Sequence, residues 1–233
     1  MFRPIALLSI AALALAACGS LDSSKANIRF VHASPDAGAV DLFINGTKAV
    51  SGYTYTQFSG YTGFTQGNLA VKVCPASSAT TPPASCPIET TLTANPGKSY
   101  TILAVGSLAG GNLSALIATD DLTAPSVGGQ FKLRVIQANP VNTPVDVYVT
   151  APTTDLTTVS PAVPSLAYQG ITTPYLGIAA GSYRFRVTSA GTLNVLIDSG
   201  TTGFPLSSGK TYTAVVVPPV ANVTNGLILM SDN

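Results

Sequence analysis

Several things are scarce in this chain, and each scarcity removes a class of function. Charged residues make up 9% of the 233 positions, and the few lysines and arginines are scattered singly. No basic stripe exists to neutralise a run of phosphates, so nucleic acid is not an expected partner. Tryptophan is absent, which weighs mildly against a sugar carrier. The one histidine, His32, leaves no second imidazole for a zinc site or a catalytic triad. Neither G-x-S-x-G nor H-E-x-x-H occurs, so no hydrolase constellation is visible. No apolar run reaches the roughly 20 residues that a membrane-spanning helix needs.

What is abundant is Thr, Ser, Gly, Pro and Val, with 46% hydrophobic residues. That is ample for a core, and the mixture favours strands and turns over helices. The chain begins with a cationic Met1-Phe2-Arg3, an apolar stretch from Ile5 to Leu15, and the small residues of Leu15-Ala16-Ala17-Cys18. This order resembles the signal peptide and lipobox of bacterial lipoproteins. The resemblance implies removal of residues 1–17, lipidation of Cys18, and a tether over residues 18–27. Acyl chains on Cys18, at about 0.8 kcal/mol per buried CH₂, would hold the protein on a membrane. Glycine rather than aspartate at position 19 implies the outer membrane by the same resemblance. With Arg3 removed, ten basic residues balance ten acidic ones.

Two cysteines remain, Cys74 and Cys86, around the Ser/Thr/Pro-rich segment 75–85. In an oxidising compartment a disulfide is the expected reading. A metal pair or redox couple is the alternative, but the spacing is not C-x-x-C and no histidine lies near.

The sequence is written twice. Ile28-Arg29-Phe30-Val31-His32-Ala33-Ser34-Pro35 aligns with Leu133-Arg134-Val135-Ile136-Gln137-Ala138-Asn139-Pro140, and the same shift of 105 residues brings Val40–Ile44 onto Val145–Val149. Tyr61-x-Gly63 returns as Tyr175-x-Gly177, Leu69–Val73 as Tyr183–Val187, and Gly97–Thr101 as Gly209–Thr213. Matches in one order at this period imply two globular copies rather than a solenoid.

Leu69, Val71 and Val73 alternate with Ala70 and Lys72, and Tyr183, Phe185 and Val187 with Arg184 and Arg186, so one face of each strand is expected inward and the other in water. Val40, Leu42, Ile44 and Val145, Val147, Val149 read the same way. The fuller apolar runs Thr101–Val105 and Thr213–Val217 predict central strands covered on both faces. With turns at Ser34-Pro35-Asp36, Asn45-Gly46, Asn95-Pro96-Gly97 and Ser207-Ser208-Gly209, the expected architecture is all-β: two tandem antiparallel β-sandwiches of immunoglobulin-like or transthyretin-like kind. The predicted domains are 28–124 and 131–233, joined by a linker at 125–130. A Thr/Pro-rich insertion, Thr150–Ser165, is expected to be a mobile loop.

Val31-His32-Ala33-Ser34-Pro35-Asp36-Ala37-Gly38-Ala39-Val40-Asp41-Leu42 resembles the opening motif of a bacterial family known only as domain of unknown function 4397. The resemblance extends over nearly the whole chain beyond the signal, in two copies. It implies a secreted or envelope β-domain and brings no activity with it. The second copy departs from the motif at Gln137, Asn139, Val141 and Asn142.

Among individual residues, His32 is replaced by Gln137 in the other copy and reads as a strand-end side chain rather than a catalyst. Asp41 and Asp146 are equivalent, as are Arg29 and Arg134, so each copy is expected to hold an ion pair or a carboxylate that accepts turn N–H bonds. Calcium on Asp41 with Asp36 and loop carbonyls is the weaker reading, since six to eight oxygens are wanted. Tyr53, Tyr55, Phe58, Tyr61 and Phe64 form the candidate binding surface, against the alternative that these rings are packing. The functional expectation is a non-enzymatic, lipid-anchored envelope module that presents loops to a surface protein or polysaccharide and carries no cofactor. A small-molecule or sugar carrier, and less so an envelope polymer hydrolase, are the alternatives.

Overall fold

The computed structural model describes residues 23–141, 144–220 and 225–233, so Cys18 and the signal lie outside the described residues. The first copy contains β1 (Ala26–His32), β2 (Val40–Ile44), β3 (Thr47–Tyr53), β4 (Thr62–Phe64), β5 (Gly67–Pro75), β6 (Ile88–Ala94), β7 (Ser99–Val105) and β8 (Ser114–Asp120). They form two sheets, β4-β1-β7-β8 and β3-β2-β5-β6. The second copy contains β9 (Gln130–Gln137), β10 (Val145–Thr150), β11 (Val163–Leu166), β12 (Leu176–Ala179), β13 (Gly181–Ser189), β14 (Val195–Asp198), β15 (Phe204–Leu206), β16 (Thr211–Val216) and β17 (Leu227–Ser231). Its sheets are β12-β9-β16-β17 and β11-β10-β13-β14, with β15 also paired to β13.

Each copy is a β-sandwich with its own core. Ile28, Phe30, Leu42, Val71, Ile102 and Ala104 meet between the sheets of the first, and Phe131, Val135, Val147, Phe185, Ala214 and Val216 between those of the second. The alternation expected for Leu69, Val71 and Val73 is present. At the β2–β3 hairpin, Asn45 and Gly46 take φ of +49° and +79°, the left-handed pair that a two-residue turn requires.

Several expectations are corrected. The sandwiches are not purely antiparallel: β1 runs parallel to β7, and β9 parallel to β16. A parallel neighbour needs a long crossover, and in each copy the entire second sheet supplies it. The tether is shorter than expected, because Ala26 packs in the core and the Asn27 N–H donates to the Lys98 carbonyl at 2.9 Å, placing both in β1. The segment Thr150–Ser165 is not a featureless loop; it carries a turn of 3-10 helix, Leu156–Thr158, capped by Asp155, and the start of β11. Arg186 is not in water, because its guanidinium donates to Thr150 Oγ1 at 2.8 Å and the Thr154 carbonyl at 2.7 Å, and that segment covers it. Arg184 is partly buried in a pair with Asp198. Phe43, on the outer face of β2, is buried beneath Cys74 and Cys86.

Thr101–Val105 and Thr213–Val217 are covered on both faces as expected. Their inner faces line the sandwich cores. Their outer faces meet each other: Val31, Ala33, Leu103, Val105 and Ala118 of the first copy pack on Ile136, Ala138, Val215, Val217, Ile228 and Met230 of the second. The molecule is therefore four sheets deep, with a third apolar layer between the copies.

Candidate functional site

Within that middle layer, charged groups sit where strand alternation sends them. On β1 the inward residues are Ile28 and Phe30, so Arg29 faces the other copy. On β9 the same alternation turns Arg134 outward. Arg29 Nη1 lies 2.7 Å from Asp232 Oδ1, and Arg134 Nη1 lies 2.6 Å from Asp120 Oδ1. Asp120 ends β8 and Asp232 follows β17, so the two pairs are reciprocal: each copy gives its arginine to the other's aspartate. This is the arrangement of a two-fold dimer, reproduced within one chain.

The supporting groups repeat as well. Thr101 Oγ1 donates to Asp120 and Thr213 Oγ1 to Asp232, each at 2.7 Å. Tyr61 and Tyr175 lie over the guanidinium groups of Arg29 and Arg134, at 4.8 and 5.1 Å. Tyr61 also donates to Asp120 at 2.6 Å. Burial pushes the Asp232 carboxyl up, opposed by Arg29, Thr213 and Arg134. Burial alone would lower Arg29, but Asp232, Tyr61 and Asp120 outweigh it and keep the guanidinium charged.

Repetition in the sequence singled out Arg29 and Arg134 without their partners, and of the two readings for Asp41 and Asp146, an ion pair or a carboxylate accepting turn N–H bonds, the structure shows the second in both copies. Asp41 accepts N–H bonds from Gly52 at 2.8 Å and Ser77 at 3.0 Å, with Lys48 at 2.7 Å. Asp146 accepts from Ser165 at 2.7 Å and Gly191 at 2.8 Å. Both are turn anchors on the outer sheets, away from the arginines. Asp120 and Asp232 were missed, although they recur at the same 112-residue shift as Thr101 and Thr213.

His32 is buried, with Nε2 2.7 Å from the Gly38 carbonyl and Nδ1 accepting the Ser34 N–H at 3.3 Å. Gln137 Oε1 accepts the Asn139 N–H at 3.1 Å in the same way. The two side chains share one structural task at equivalent strand ends. Asp36 accepts from Ser107 Oγ at 2.6 Å, Leu108 N at 2.9 Å, Ala109 N at 3.0 Å and Ser34 Oγ at 3.2 Å. These bonds hold its carboxyl down at about 2. Among the described residues no group of three or more His, Cys, Asp or Glu comes together to hold a metal ion.

The aromatic stretch does not form one exposed patch. Tyr53 and Phe64 pack against the first core. Tyr55 donates across the copies to the Pro218 carbonyl, and burial pushes its hydroxyl up. Tyr61 belongs to the charged layer, and Phe58 alone of the five is exposed, at 38%. Cys74 and Cys86 form a disulfide.

Two copies with equivalent cores, equivalent turn anchors and reciprocal ion pairs agree with comparison to known families. The model of a domain of unknown function, DUF4397, matches twice, over residues 26–148 and 132–233. The chain belongs to the DUF4397 family. A search of curated proteins found no match. The DUF4397 pair has a clear polarity. At one end, Lys132 Nζ meets Asp121 at 2.5 Å and Thr211 Oγ1 reaches the Thr123 carbonyl at 3.4 Å. At the other, Tyr55 bonds Pro218 and Gln169 Nε2 donates to Ser114 Oγ at 3.3 Å. Since β1, β7, β9 and β16 all run from the first end to the second, β1 enters at a base, and the loops after these strands form the opposite pole.

Proposed function

We propose that the protein is a non-enzymatic, lipid-anchored module of the cell envelope, fixed by acylated Cys18 and presenting the pole opposite its base to an envelope protein or polysaccharide. The observation that carries this reading is the entry of β1 at the base. Seven residues, 19–25, separate Cys18 from Ala26, which makes eight steps along the chain. Extended, they span at most about 28 Å, so a lipid on Cys18 holds the base close to the bilayer. The loops around Asp36, Leu108 and Val141 then lie on the side facing away from it. Loops on a rigid sandwich are well placed for recognition.

The chemistry of the carboxylates supports contact rather than catalysis. Asp36, Asp41 and Asp146 are occupied by turn N–H bonds, and Asp120 and Asp232 by arginines. A polymer hydrolase needs a pair of carboxylates facing a cleft. The glycine at position 19 favours the outer membrane.

Labelling of cells with an alkyne fatty acid, followed by mass spectrometry of the N-terminal peptide, tests the reading. We expect label on the wild type, a mature chain starting at Cys18, and no label on Cys18→Ser. An unacylated chain still carrying residues 1–17 would overturn it.

A further inference from the structure

The β5–β6 connection differs between the copies in a way the fold does not require. In the first it spans residues 76–87, and its counterpart between β13 and β14 spans only 190–194. The shorter hairpin closes an equivalent sandwich, so the fold does not require the extra length. It contains Ser77, Ser78, Thr80, Thr81 and Ser85, all exposed.

The loop is held by its backbone and leaves its side chains free. Cys74 and Cys86 clasp its ends. Lys48 Nζ donates to the Ser77 carbonyl at 2.7 Å, Lys72 Nζ to the Ala84 carbonyl at 3.1 Å, and Asp41 accepts the Ser77 N–H at 3.0 Å. None of the five hydroxyls makes a hydrogen bond among the described residues. Hydroxyls of Ser and Thr in ordered loops ordinarily turn back to nearby backbone groups. Pro82 and Pro83 fix φ and push Thr81 toward an extended conformation, the shape in which a transferase can grip a peptide acceptor. Thr80 and Thr81 lie farthest from both lysine clasps. No charged residue occurs between Cys74 and Cys86. Exposed Ser/Thr runs with proline have the composition of O-glycosylated segments.

We propose that this clasped loop is an O-glycosylation site, with Thr80 and Thr81 as the principal acceptors. In the reaction the threonine Oγ attacks the anomeric carbon of a sugar carried on a nucleotide or polyprenyl diphosphate. The new C–O bond forms as the sugar–phosphate bond breaks. The diphosphate leaves with the electron pair, and the hydroxyl proton passes to a base of the transferase.

The test uses full-length protein purified from the cells that make it. Trypsin releases Val73–Lys98 as one peptide after reduction. The expected result is a peptide heavier by whole sugar units, with mild alkaline elimination leaving dehydrated residues at Thr80 or Thr81. In Thr80→Val/Thr81→Val the added mass should fall by at least half, with thermal unfolding unchanged because both positions are exposed. A peptide of unmodified mass, or sugar found only outside residues 77–85, would overturn the proposal. The N-terminal peptide in the same digest reports acylation separately, so failure of the anchor and failure of the glycan are distinguishable.

Discussion

Arg29 and Asp232 lie 203 residues apart in the chain and 2.7 Å apart in space, and both are buried. Removing one member leaves the other charge stranded in an apolar layer, which typically costs about 3–5 kcal/mol. Asp232→Leu should therefore lower stability by that order in urea unfolding. Arg29→Met/Asp232→Leu should recover most of the loss, since a well-packed apolar pair is often as stable as a buried ion pair. A double variant no better than the single one would show that the pairing itself is not the issue.

The apolar part of the same layer ties the copies together. Leu103 is fully buried there against the second copy. Leu103→Ala should cost about 2–5 kcal/mol. Because the layer belongs to both sandwiches, calorimetry should show one unfolding transition whose calorimetric and van't Hoff enthalpies agree. Two resolved transitions in the wild type would mean that the layer does not couple the copies.

Asp36 gives the acid limb of stability. Bonds from Ser107, Ala109, Leu108 and Ser34 hold its carboxyl at about 2, below the ordinary 3.8. A depressed carboxylate contributes stability that is complete above the unfolded value and is lost as pH falls through the folded one. Protection of the Leu108 and Ala109 amides, measured as exchange relative to the unstructured-chain rate at the same pH, should thus fall between pH 4 and pH 2, by the cited shift. In Asp36→Asn these amides should show low protection throughout this range. Identical profiles for the two proteins would refute the assignment.

His32 acts at higher pH. Burial lowers it below the ordinary 6.5, outweighing the Gly38 carbonyl. The native state holds the ring neutral while the unfolded chain takes up a proton, so stability declines as pH drops below 6.5. The slope from one such group cannot exceed about 1.4 kcal/mol per pH unit. His32→Gln, which copies the residue at 137, should fold and lose that component. Urea midpoints measured at pH 7.5 and 5.5 for both proteins isolate it, and an unchanged difference between the two pH values would contradict it.

Much of this fold is legible in the sequence because apolar alternation is a local signal. Leu69, Val71 and Val73 declare their inward face without reference to anything distant. The doubly apolar runs Thr101–Val105 and Thr213–Val217 declared two covered faces, but not that the second cover is the other copy. That information lies in pairings at long separation, such as Arg29 with Asp232, which no window of sequence contains. Asp41 and Asp146 are as faithfully repeated as Asp120 and Asp232, yet they anchor turns and do not meet the arginines. Repetition marks a residue as structurally required, not which partner requires it. The parallel pairing of β1 with β7 was hidden for the same reason, since a crossover built from a whole sheet looks locally like a chain of hairpins. Arg186 was placed in water because its cover comes from an insertion present in only one copy.

The exchange of arginines also bears on how the gene can change. Excising either module would bare a greasy sheet studded with an orphan cation and an orphan anion, prey for proteases before any new partner could evolve. The tandem, once formed, resists reversion by simple deletion.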